Sequence, residues 1–220
     1  MLKKLPLAIA VTGMALVSAA PASALGVLWK PGVLATGLMN TAIIEDFEGL
    51  DPGDPYGGGF AIYGDSAPGF AARPAFGSTG NFLAVQRDNT SSITIAVPQT
   101  QVLSFVIGSL DSYNKVVLNF LNGTSRELNG LEIITGLAAD SGASGSGDQS
   151  SPDTNGRVFY DTLGLTSIVS FTLTSIGQNA FEVDNISVAA PEPGTWGMMI
   201  LTAGIAGASL RRRRHRAALA

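Results

Sequence analysis

The groups whose type and spacing suit chemistry fall in three places: Glu45, Asp46 and Glu48 around Phe47; Asp184 beside Asn185; and Gly108-Ser-Leu-Asp-Ser-Tyr-Asn114. In the last, Asp111, Tyr113 and Asn114 offer a carboxylate, a phenol and an amide, the set that lines a polar sugar-binding patch. A tight turn with a packed tyrosine uses the same residue types. Catalysis has little else to draw on. The chain has no cysteine, and its one histidine, His215, sits in a basic tail. Without an imidazole in the body, serine–histidine, cysteine–histidine and zinc hydrolysis lack their base or ligand. A two-carboxylate glycosidase or lyase needs only acids ~5–10 Å apart, but nothing in the spacing selects a pair. The chain is expected not to be an enzyme.

Charge sharpens this. Residues 25–190 carry six Lys or Arg against sixteen Asp or Glu, so the body should repel nucleic acid and anionic lipid and favour a cationic partner such as calcium. The cationic residues gather at the two ends. Met1-Leu-Lys-Lys4, the apolar run Leu5 to Val17 and the small-residue box Ala22-Ser-Ala24 form a signal peptide over 1–24, cut after Ala24 and handled by the Sec export machinery. At the other end Pro191-Glu-Pro193 leads into Thr195 to Leu210, which has no charge, and then Arg211 to Arg214 and Arg216. Sixteen helical residues span roughly 24 Å. That is short of the ~30 Å hydrocarbon core, but snorkelling arginines and an interfacial Trp196 extend it, with the arginines left on the cytoplasmic side.

Between the ends, strands must position whatever site exists. Thr41–Glu48, Phe60–Tyr63, Asn81–Gln86, Ser92–Val97, Val102–Ile107, Lys115–Leu121, Leu131–Ile134 and Ile168–Thr174 have strand length and β-rich composition, separated by turn residues. Val169, Phe171 and Leu173 should share one face, as should Val116, Leu118 and Phe120. In Phe181-Glu-Val-Asp-Asn-Ile-Ser-Val188 the apolar residues change phase, which requires a bulge near Asp184-Asn185. Ser141 to Gly156 reads as a solvated flexible loop, in which Asp148 and Asp153 match no cation-loop spacing. No helical period occurs in the body, so an all-β antiparallel sandwich of jelly-roll type over 25–188 is expected.

The tail resembles the PEP-CTERM sorting domain of exported proteins of Gram-negative bacteria, through Pro191, Glu192 and Pro193, Trp196, and Arg211, Arg212, Arg213 and Arg214. The resemblance implies a sorting segment over 189–216 and processing by exosortase, with an inner-membrane intermediate before the cell surface or extracellular matrix. The Phe181–Val188 stretch is similar to the last strand of secreted jelly-roll domains, carbohydrate-binding modules among them. That implies a structural calcium held by Asp184 with Glu45, Asp46 or Glu48. Ala75–Ala84 and Gly108–Asn114 resemble a group of exosortase-dependent surface proteins, which implies association with exopolysaccharide and biofilm.

Overall fold

The computed structural model describes residues 25–32, 40–56, 60–87, 92–129, 132–133, 145–189 and 201–205. The strands, in chain order, are β1 (Gly26–Pro31), β2 (Thr41–Glu45), β3 (Pro55–Tyr56), β4 (Phe60–Tyr63), β5 (Phe82–Val85), β6 (Ile93–Thr100), β7 (Val102–Gly108), β8 (Asn114–Phe120), β9 (Ser125–Asn129), β10 (Gly156–Asp161), β11 (Ile168–Ser175) and β12 (Phe181–Ala189). An eight-stranded sheet runs β1-β10-β7-β12-β5-β4-β3, with β2 also pairing β12. A four-stranded sheet runs β6-β11-β8-β9. The pairings between these strands are antiparallel.

Side-chain alternation makes the interior. Ile93, Ile95 and Val97 of β6, and Val116, Leu118 and Phe120 of β8, turn inward from the small sheet. They meet Leu103, Phe105 and Ile107 of β7 and Val158 and Tyr160 of β10. Phe105 stacks on Phe171 across the gap at 5.3 Å between ring centroids, so the two sheets share one core. One expected phase fails. The register of β11 shifts between Ile168 and Ser170, and this bulge buries Ile168 in place of Val169, while Phe171 and Leu173 face inward as expected.

The bulge expected in β12 is present. Its pairing with β7 shifts between Asp184 and Ser187, and Asn185 adopts a φ of +50°. Phe181, Val183, Ile186 and Val188 thereby all reach the core, while Glu182, Asp184 and Ser187 point to the opposite face. That face is covered too. The Asn185 side chain donates to the Gly77 carbonyl at 2.7 Å, and the Ala72 amide donates to Glu182 at 2.9 Å, so the irregular 64–80 segment lies over the sheet.

Several elements differ from expectation. β1, β9 and β10 lie in stretches that lacked a strand pattern. Of Leu131–Ile134, the described pair Glu132 and Ile133 is helical. Residues 145–153 are exposed or half-exposed, as a solvated loop should be, but Thr154 and Asn155 are fully buried, and the loop is tied down by the contacts described next. The signal peptide with Ala22 and Ala24, the motif Pro191–Pro193 with Trp196, and Arg211 to Arg214 lie outside the described residues. Of the expected 195–210 helix, 201–205 is described and is helical. Among the described residues no helix is long and apolar enough to cross a membrane.

Candidate functional site

A pocket of about 140 Å³ opens where β12 begins and β7 ends, lined by Phe70, Asp111, Tyr113, Gln149, Asn179 and Glu182 among others. Four covalently distant segments build it, 69–72, 109–113, 147–149 and 179–182. The β7–β8 turn is closed by the Asp111 amide donating to Asn114 Oδ1 at 2.7 Å. Asn114 is itself buried and donates to the Ala180 carbonyl at 3.3 Å. Of the three sugar-contact candidates, Asp111 and Tyr113 therefore reach the pocket, and Asn114 holds the turn instead. The Tyr113 hydroxyl donates to the Asn179 carbonyl at 2.9 Å, which fixes the phenol against the β11–β12 connection.

The third segment is the 145–155 loop, and Asn155 is its anchor. Its Oδ1 accepts from the Ala75 and Ser109 amides, both at 3.1 Å, and its Nδ2 donates to the Asp148 and Ser151 carbonyls and to Thr154 Oγ1. Asp148 caps the same loop by accepting from the Ser150 and Ser151 amides, and those donors hold its carboxyl below the usual range. Gly147, at φ +64°, passes so close to Asp111 that a Cβ there would overlap the carboxylate. Only glycine closes this wall of the pocket.

Glu182 is 2 % exposed. Its Oε1 accepts from the Ala72 amide and its Oε2 from the Ser109 hydroxyl, each at 2.9 Å. Burial pushes the carboxyl up to about 7 against the pull of those donors, with nearby Asp111 adding to the rise. Burial also raises Asp111, eased by the neighbouring Tyr113 hydroxyl, and raises Tyr113. Between the ordinary glutamate value of 4.5 and about 7, the unfolded chain has lost this proton while the folded chain keeps it. Stability therefore falls as pH rises through that window and levels off above it. The expected size is about 3 kcal/mol. Thermal unfolding across this range should show the decline, and Glu182→Gln should flatten its upper part; an unchanged slope in the variant would assign the effect elsewhere.

The residues proposed for calcium behave differently. β2 does lie beside β12, with Glu45 opposite Ile186. Yet Glu45 accepts from the Phe47 amide, Asp46 from the Glu48 amide and Glu48 from the Asn81 amide. Among the described residues no three Asp, Glu, His or Cys side chains gather into a metal-binding group. Asp184 is buried and pushed up to about 6, by burial first and then by Glu48 and Asp46, with the Ser78 hydroxyl and Asn185 amide opposing. Arg157, also buried, lies within the electrostatic reach of Asp184, but its guanidinium donates to Ser104, Ser187 and the Asn185 carbonyl.

Sequence reasoning missed Phe70, Asn155, Arg157, Asn179 and Glu182. Glu182 alternates with Phe181 and Val183, which reads as an outward, solvated position. Nothing in the pattern says that a loop covers the outer face.

The end of β12 leads out of the fold. The Ala189 amide donates to Thr100 Oγ1 at 3.1 Å, and from that residue onward, over 189–214, the chain matches the model of the PEP-CTERM protein-sorting motif. The chain carries a PEP-CTERM sorting motif. The motif marks an exported protein, sorted by exosortase to the cell surface through a membrane-anchored intermediate. No significant match was found among curated proteins or among solved structures.

Proposed function

We propose that this chain is a non-enzymatic surface or matrix protein of a Gram-negative bacterium, released by exosortase as an intact sandwich and associated with exopolysaccharide and biofilm. The observation that carries the proposal is positional: the PEP-CTERM match begins at the last residue of β12, so cleavage near Pro191–Pro193 leaves every strand of the described residues in place. Export through Sec follows from the signal peptide. The adjacency of β2 and β12 supports a jelly-roll arrangement.

The pocket favours a second reading, that the domain is a carbohydrate-binding module. Phe70 is 56 % exposed at the rim, an apolar face beside convergent polar groups, which is how a sugar ring is commonly held. The processed protein should be retained by the producing cell's own extracellular polysaccharide. Phe70→Ala should weaken that retention about tenfold, the loss of one stacking contact. Retention unaffected by Phe70→Ala would separate polysaccharide association from this pocket.

A glycosidase or lyase would have to use Asp111 and Glu182, the two carboxylates lining the pocket. Both oxygens of Glu182 already serve Ala72 and Ser109, which makes it a support for the pocket wall rather than an acid poised for a glycosidic oxygen.

A further inference from the structure

Strand register puts both ends of the folded domain at the same end of the sandwich. Gly26 of β1 lies opposite Asp161 of β10. Val188 of β12 lies opposite Leu103 of β7, and Leu103 in turn opposite Tyr160. The expected signal peptide and the PEP-CTERM segment therefore leave from one end, and the pocket, where Glu182 pairs with Gly108, lies at the other.

The loops at the exit end are fastened to one another. The Leu121 amide donates to the Ser167 carbonyl at 2.8 Å, the Thr162 amide to Gln101 at 3.0 Å and the Leu165 amide to Thr162 at 3.0 Å. From this frame Leu121, Leu163 and Leu165 project 58 %, 58 % and 62 % exposed. Charge is nearly absent around them. In 99–101, 121–124 and 161–167 the one carboxylate is Asp161, and it accepts from the Leu163 amide at 2.8 Å. A body that is otherwise acidic thus presents an apolar, almost uncharged end where its membrane segment departs.

We propose that this end rests on the lipid bilayer while the sorting segment is inserted, with Leu121, Leu163 and Leu165 entering the interfacial layer. The proposal rests on exosortase sorting through a membrane-anchored intermediate. Six residue steps separate Ala189 from Thr195, so even a fully extended connection holds the domain within roughly 20 Å of the apolar run. At that range three leucines leave water on contact, while Asp161, tied to the Leu163 amide, is the one carboxylate these loops bring to the headgroups. Docked this way, the domain holds the Pro191–Pro193 motif at the membrane surface and keeps its pocket directed away from it.

The absence of cysteine allows single labels to be placed cleanly. The full chain, carrying a fluorophore on Thr166→Cys among the leucines or on Asp153→Cys at the pocket end, is reconstituted in phosphatidylethanolamine–phosphatidylglycerol vesicles containing a headgroup-level quencher. The label at 166 should be quenched at least about twofold more than that at 153, and adding Leu163→Ser with Leu165→Ser should abolish the difference. Equal quenching at both positions, or a difference untouched by the serines, in chains that stay with the vesicles through alkaline carbonate would overturn the docking. Chains stripped off by carbonate would refute the anchoring itself, and the docking with it.

Discussion

Substituting Pro191, Glu192 and Pro193 with alanine should abolish release of the protein, leaving the full-length tail in the inner membrane, and deleting exosortase should do the same. The apolar run from Thr195 to Leu210 is followed by five arginines, each costing roughly 2.5–3.5 kcal/mol at the centre of a bilayer. The segment therefore has no cheap way through, and cutting is its route out of the membrane. The substituted residues lie beyond β12, which ends at Ala189 paired with Thr41 and bonded to Thr100, so the strand pairings do not depend on them. Melting temperature should be unchanged while released protein disappears. Intact mass of the surface form decides the matter: a released species from the unmodified chain that still carries Arg211 to Ala220 is incompatible with exosortase sorting.

The PEP-CTERM motif was legible because its meaning is carried by order along the chain: a short motif, an apolar run, a basic stop. Strands were legible where one face is wet. Val116, Leu118 and Phe120 alternate with half-buried residues, and β8 lies where the alternation put it. β10 failed for the opposite reason. Every residue from Gly156 to Tyr160 is buried, with Arg157 and Phe159 turned away from the core yet still covered, so no alternation survives to be read. The bulge of β12 was readable from a phase change in four apolar residues. Its consequence was not, since the buried Arg157 that donates to the Asn185 carbonyl lies on another strand, 28 positions before Asn185. The pocket was half legible. Asp111 and Tyr113 stand in a polar turn between strong strands, whereas Glu182 gains its character from the 64–80 segment folded over it and from the Ser109 hydroxyl of that turn.

The 145–155 loop shows how composition misleads, and it sets the second large expectation. Glycine, serine and aspartate suggest a chain that prefers water, but a single buried amide can hold such a chain in place. Asn155→Ala should destabilise the processed protein by about 3–5 kcal/mol. Its Oδ1 is the acceptor for the amides of Ala75 and Ser109, and its Nδ2 serves three further oxygens; each buried group left unpaired costs roughly 1–3 kcal/mol. Asp148→Ala, at an exposed cap of the same loop, should cost far less. Urea unfolding of the two variants separates these values, and a loss below ~1 kcal/mol for Asn155→Ala would mean that water replaces the amide at little cost. The same substitution reaches the pocket, because the Ser109 backbone that Asn155 fixes also carries the hydroxyl donating to Glu182. Polysaccharide retention should therefore fall in Asn155→Ala even under conditions where the sandwich remains folded, while Asp148→Ala keeps it.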